Sequence, residues 1–169
     1  MKTTISLSVA LVVILGGCKL IQHPKQPSRM MTAELALKDD GEIYGIIKNI
    51  STQFLVVSKI DLPTGPPSSG VYYNVKAPDG NDIPYQGMLV SFEGVDGSLK
   101  VMRPGGRFEF TIDSNDYGVY PGCKIRVDTR VSFKVFHTEK RAQSFAQSAK
   151  HWHQLASSQL VTSNYVVIR

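Results

Sequence analysis

The sequence predicts an all-β fold, an antiparallel sandwich with one short helix in a late connection, preceded by a signal peptide that is cleaved on export. Three observations lead there. Short alternating or apolar runs bounded by Gly, Pro, Asn and Asp clusters dominate Met31 to Phe136, the pattern of many short strands joined by turns. One run, from Lys124 onward, alternates for most of its length. An apolar N-terminal stretch stops abruptly at a cysteine.

That stretch comes first in the chain. Lys2 supplies a positive start, and Ile5 to Leu15 is apolar apart from two serines, as in the central region of a secretory signal peptide. A spanning helix needs roughly 20 apolar residues, and this run is interrupted sooner, by Gly16-Gly17-Cys18. Leu15-Gly16-Gly17-Cys18 resembles the lipobox of bacterial lipoproteins. In that family the chain is cut ahead of the cysteine, which then carries acyl chains. The resemblance implies a signal peptide at 1–17, lipid attachment at Cys18, and anchoring to a bilayer, which is stable once two acyl chains are present. Lys19, where an inner-membrane retention signal would place Asp, favours the outer membrane in a two-membrane envelope. Residues 18–30 read as a polar, proline-containing tether, and 31–169 as one β domain of ordinary size.

Within that domain, Leu35 and Leu37 alternate with Glu34 and Lys38 before the turn Asp39-Asp40-Gly41. Ile43 to Lys48 forms a second strand, ended by Asn49-Ile50-Ser51, which reads as a turn. Phe54 to Val57 is wholly apolar and suits a central strand buried on both faces. Asp61 to Gly70 holds three prolines, which forbid regular pairing, so a stiff, exposed loop is expected. Val71 to Lys76 resumes as a strand before Pro78-Asp79-Gly80. Met88 to Phe92 and Leu99 to Met102 flank another turn. After Pro104-Gly105-Gly106, Phe108, Phe110 and Ile112 alternate with Glu109, Thr111 and Asp113.

The clearest periodicity follows. Ile125, Val127, Thr129, Val131, Phe133 and Val135 share one face, and Lys124, Arg126, Asp128, Arg130, Ser132 and Lys134 the other. A slip of one residue would bury the charges, so the register is well specified. Ala142, Phe145, Ala146, Ala149 and Trp152 recur at helical spacing between Glu139 and Ser158. A last strand runs from Tyr165 to Ile168.

Composition narrows the function. The formal charge is +5, and loss of Lys2 with the signal leaves about +4, mildly basic and suited to acidic surfaces or headgroups. Without a basic tract, nucleic acid is not an expected partner. With Cys18 committed to lipid, Cys123 stands alone and is expected to be buried as a small hydrophobe. Catalysis finds little support. No HExxH stretch provides the two histidines and the glutamate of a zinc peptidase. His151 and His153 share a face only on a strand, where His137 is a third candidate ligand, and surface histidines are the simpler reading. Asp39-Asp40 and Asp113 to Asp116 sit at turn signals, where Asp bonds local backbone. No metal, no cofactor and no enzymatic activity is therefore expected.

Two surfaces are candidates for binding. Lys124, Arg126, Arg130 and Lys134 would form a basic row about 35 Å long, able to dock an acidic partner or to lie against anionic headgroups. The loop containing Leu62, Pro63 and Thr64 is the other, because stiff loops lose little entropy on binding.

The order of turns resembles the propeptide of the aspzincin metallopeptidases, the deuterolysin and peptidyl-lysine endopeptidase group. The matching features are a strand whose Asn ends in a turn (Ile46 to Ser51), a corner at Leu62-Pro63-Thr64-Gly65, and Tyr73 and Val75 before Asp79-Gly80. Tyr85-Gln86-Gly87, Pro104-Gly105, Phe108 to Asp113, Tyr117, and Ser163-Asn164 with Val166 follow in order. The corner is one residue shorter than in the family. The resemblance spans nearly all of Met31 to Arg169. It implies an immunoglobulin-like sandwich of the kind that assists folding of the zinc domain and covers its active site. A lipid-anchored copy without that zinc domain is then expected to inhibit or chaperone a secreted metallopeptidase in trans. A structural or adhesion lipoprotein of the envelope is the alternative.

Overall fold

The computed structural model describes residues 29–63, 73–86, 99–112, 117–150 and 152–169. The predicted signal peptide, Cys18 and most of the predicted tether therefore lie outside the described residues, as do Thr64, Gly65 and the predicted strand at Met88 to Phe92. Nine strands and one α-helix are described: β1 (Met31–Leu37), β2 (Ile43–Asn49), β3 (Phe54–Ser58), β4 (Tyr73–Lys76), β5 (Leu99–Met102), β6 (Arg107–Ile112), β7 (Lys124–Phe136), α1 (Glu139–Ser148), β8 (Ser157–Thr162) and β9 (Val166–Val167).

Among the described residues all strand pairings are antiparallel and fall into two sheets. The first is β1-β2-β6, with Ala33 opposite Ile47 and Gly45 opposite Phe110. The second is organised by the thirteen-residue β7. Along one edge of β7 lie β3, continued outward by β5, and then β4. Along the other edge run β8 and then β9. Alternation places Met31, Leu35, Ile43, Ile47, Phe110 and Ile112 of the first sheet against Leu55, Val57, Ile125, Val127, Val131 and Val161 of the second, in one shared core. At Gly45 that core admits no side chain, since a Cβ would stand 2.2 Å from Phe110 Cζ.

β3 is buried on both faces, as its composition predicts. Its second face lies under α1, and Val56, Ser58 and Ala142 are all inaccessible to solvent. The helix is shorter than the periodicity suggests. It ends at Ser148, Ala149 turns extended, and Trp152–Leu155 forms a separate 3₁₀ turn that buries Trp152. The last strand is likewise shorter than predicted, two residues instead of four.

Three amide side chains tie the layers together. Asn49 is fully buried at the end of β2. Its Nδ2 donates to the carbonyls of Gln53 (2.8 Å), Met102 (3.1 Å) and Arg103 (2.9 Å), and its Oδ1 accepts from the Ser51 amide (3.0 Å) and hydroxyl (2.7 Å). At the other side of the molecule, Gln159 Oε1 accepts from the Met30 and Met31 amides while its Nε2 donates to Met31 O. Asn164 makes the same two-way contact with Leu35. A primary amide presents a donor and an acceptor side by side. It can therefore substitute for a neighbouring strand along the free edge of β1, which belongs to the other sheet. Asn164 is available for this because the chain bulges between β8 and β9. Three residues separate Thr162 from Val166, whereas two separate their partners Asp128 and Ile125, and an extra residue in a strand redirects a side chain.

Candidate binding surfaces

The predicted loop does not protrude at its start. Leu62 and Pro63 are buried, Leu62 in the main core. Asp61 holds them there by filling the gap on the β7 edge between β3 and β4. Its carbonyl accepts from Thr129 Oγ1 at 2.8 Å and its Oδ2 from the Ser132 amide at 2.7 Å. Proline content signalled a segment that does not pair regularly; it did not signal exposure. Leu62 is thus a core residue and Pro63 is buried next to it in the chain, so neither offers surface to a partner, and Thr64 falls outside the described residues.

The basic row is present on the outer face of β7, but it is not a continuous line of free cations. Arg126 is half-buried. Its Nε and Nη2 both donate to Asp128 Oδ2, at 2.9 and 2.6 Å, and its guanidinium lies 4.8 Å from the centre of the Tyr165 ring. The Tyr165 hydroxyl donates to Asn74 Oδ1 at 3.1 Å, which ties the ring across the strand. Lys134 is half-buried too, with Nζ 4.8 Å from the centre of the Phe145 ring on α1. Lys124 and Arg130 are exposed, and among the described residues neither has an ion-pair partner.

Cross-strand register adds residues that the sequence pattern did not assign to this face. Lys76 stands directly opposite Lys124, a placement of like charges that costs stability. Lys76 is balanced by Asp82 at 2.8 Å, and this hydrogen bond raises the lysine above its ordinary pKa. Val167 is opposite Lys124 on the other edge, and Leu160 is opposite Arg130. Both aliphatic side chains are about half exposed, at 49% and 57%. Leu160 was discoverable in principle, since neighbouring Leu160 and Val161 cannot both face the core of a strand.

Lys76, Lys124, Arg126, Arg130 and Lys134 against Asp82 and Asp128 leave this face with a net charge of +3. An open groove of about 640 Å³ adjoins it, between the end of β1 and the C-terminal strand, lined by Leu37, Asp39, Tyr165, Val167 and Arg169 among others.

The described residues contain no cluster of three or more side chains fit to hold a metal ion. His137 Nδ1 is 2.9 Å from Gln53 Nε2, while His151 and the His153 side chain lie outside the description. Asp40 accepts the Glu42 amide within its turn, and Asp113 to Asp116 are not described. Cys123 is free and fully buried. No described helix is long and apolar enough to cross a membrane. No family model matches the chain, and neither does any curated protein.

Proposed function

We propose that this chain is an envelope lipoprotein, acylated at Cys18, whose β domain is an immunoglobulin-like sandwich that binds a secreted aspzincin-type zinc metallopeptidase and inhibits or chaperones it. The observation that carries this reading is the strand order. β1-β2-β6 faces β5-β3-β7-β8 across one core, an antiparallel order compatible with the immunoglobulin-like sandwich that the propeptide resemblance implies. Asn49, the Asn of the strand-to-turn motif, supports it further, because its bonds link β2 to the β5–β6 connection. A fold alone does not specify an activity, so the proposal turns on one titration.

Residues 19–169, produced without lipid, are added to such a peptidase from the same organism while substrate cleavage is followed. Saturable, stoichiometric loss of activity is the expected result. No effect at micromolar protein, with folding verified by circular dichroism, would remove the inhibitor reading. The contact segment is tested by replacing 64–70 with a short Gly-Ser linker while keeping Asp61, Leu62 and Pro63. Removing those three would unfold the edge of β7 and confuse binding with stability.

An envelope structural or adhesion role is the second reading. Burial of Leu62 and Pro63 favours it, because it withdraws half of the candidate corner from any partner.

A further inference from the structure

The outer face around β7 carries a feature that folding by itself does not call for. Two of its cations, Lys124 and Arg130, have no ion-pair partner among the described residues. Beside each unpaired cation sits an exposed aliphatic side chain, Val167 next to Lys124 and Leu160 next to Arg130. Between them Tyr165 lies over Arg126 with its hydroxyl at the surface. Cationic, partly apolar and carrying a tyrosine whose hydroxyl bonds Asn74 at the surface, the face has the chemistry of a membrane interface. There basic side chains meet headgroup phosphates, and amphipathic rings sit at the boundary.

The route of the chain allows it. Met30 leaves the fold held by the Gln159 side chain, which points to the opposite side of β8 from Leu160, so the tether starts on the β1 side of the sandwich, whose two sheets lie only about 10 Å apart. Eleven residues separate Cys18 from Met30, so twelve Cα–Cα steps give a reach of at most about 43 Å.

We infer that this face, centred on Lys124, Arg130, Leu160 and Val167, rests on an anionic lipid bilayer and holds the domain in a fixed orientation there. The inference rests on the lipoprotein reading for its tether, although the contact itself requires no acyl chain. With this face against lipid, the β1-β2-β6 sheet is turned outward, toward any protein partner.

The test uses the processed chain, residues 18–169, carrying Cys18→Ser so that no lipid contributes. Vesicles of phosphatidylethanolamine with about a third phosphatidylglycerol, and vesicles of phosphatidylcholine alone, are compared by co-sedimentation at low and at physiological salt. Binding to the anionic vesicles only, weakening as salt shortens the Debye length to about 8 Å, is expected. Lys124→Gln with Arg130→Gln should weaken it about 25-fold, roughly fivefold for each cation. Lys48→Gln with Arg107→Gln removes the same charge from exposed positions in register on the other sheet and should leave binding within about twofold. Leu160→Ser with Val167→Ser should weaken binding at both salt concentrations.

Equal loss from both charge pairs, equal binding to neutral vesicles, or no binding to anionic ones would overturn the inference. In the last case an acidic protein becomes the better occupant. Acylation of Cys18 is read separately, by mass spectrometry of the protein from the membrane fraction, so failure of either reading is recognised without the other.

Discussion

Replacing Asn49 with alanine removes a side chain that makes five hydrogen bonds while fully buried. The contacts are unequal in consequence. Ser51 and Gln53 are partly exposed, so water can replace the amide for them. The bond to Met102 O is buried, and losing its donor leaves that carbonyl facing apolar neighbours at a cost of about 1–3 kcal/mol. Two or three of the remaining bonds contribute about 0.5–1 kcal/mol net each. The sum is about 3 kcal/mol, which for a domain of this size lowers the melting temperature by about 10 °C.

Asn49→Asp is the sharper comparison. It keeps the acceptor for Ser51 but sets a carboxylate against three carbonyl oxygens. At pH 7 it should be less stable than the alanine variant. Ionisation is disfavoured in the folded state, so the folded pKa of this Asp lies above its unfolded value of about 3.9. The variant therefore regains stability as pH falls toward that value and loses it as pH rises. Urea titrations at pH 7 and pH 4.5, followed by far-ultraviolet circular dichroism, measure both effects. A cost below about 1 kcal/mol for alanine, or an aspartate variant as stable as alanine at pH 7, would refute the role given to Asn49 as the link between layers.

Ser58 presents the opposite case. Its hydroxyl is buried with no hydrogen-bond partner among the described residues, so Ser58→Ala should be neutral or stabilising by up to about 1 kcal/mol; a loss greater than that in the same urea assay would mean the hydroxyl has a partner. The Cys123 thiol should ignore Ellman's reagent in the folded protein and react fully in urea, and rapid native labelling would contradict its burial. The Asp82 hydrogen bond raises Lys76 above the ordinary lysine value of 10.5, so its stabilisation is complete below that value and disappears as pH climbs through the raised one. Melting curves of the wild type and Asp82→Asn should accordingly converge as pH passes the raised value, and a difference that persists once Lys76 is neutral would assign the effect to something other than its charge.

What could be read in advance followed local patterns. The alternation of β7 was legible because strand side chains repeat every two residues, and its buried face lies where the period placed it. The doubly buried β3 was legible from an unbroken apolar run. Asn49-Ile50-Ser51 was legible as a turn, although the reach of the Asn49 side chain to Met102 and Arg103 was not, since those partners lie more than fifty residues away in the chain. The helix was overextended because Ala149 and Trp152 continue the helical spacing, yet Trp152 buries itself from a 3₁₀ turn. The corner at Leu62-Pro63 was misplaced on the surface for a related reason. Composition reports that a segment cannot pair regularly, but whether it is buried depends on Asp61 finding the edge of β7.

By itself, then, the sequence determined the strand segments from β1 to β7, though not β8, which falls where helical spacing and a connection were expected, together with the turns between them and the sign of the charge on the outer face of β7. Those properties depend on residues within a few positions of one another. Which cations on that face remain available was decided only in three dimensions. Asp128 and Tyr165 engage Arg126, Phe145 covers Lys134, and Asp82 balances Lys76. Most of these partners arrive on the bulge before β9, α1 and the segment after β4, brought in by register and packing. A charge pattern along one strand cannot encode which neighbours the other strands will supply.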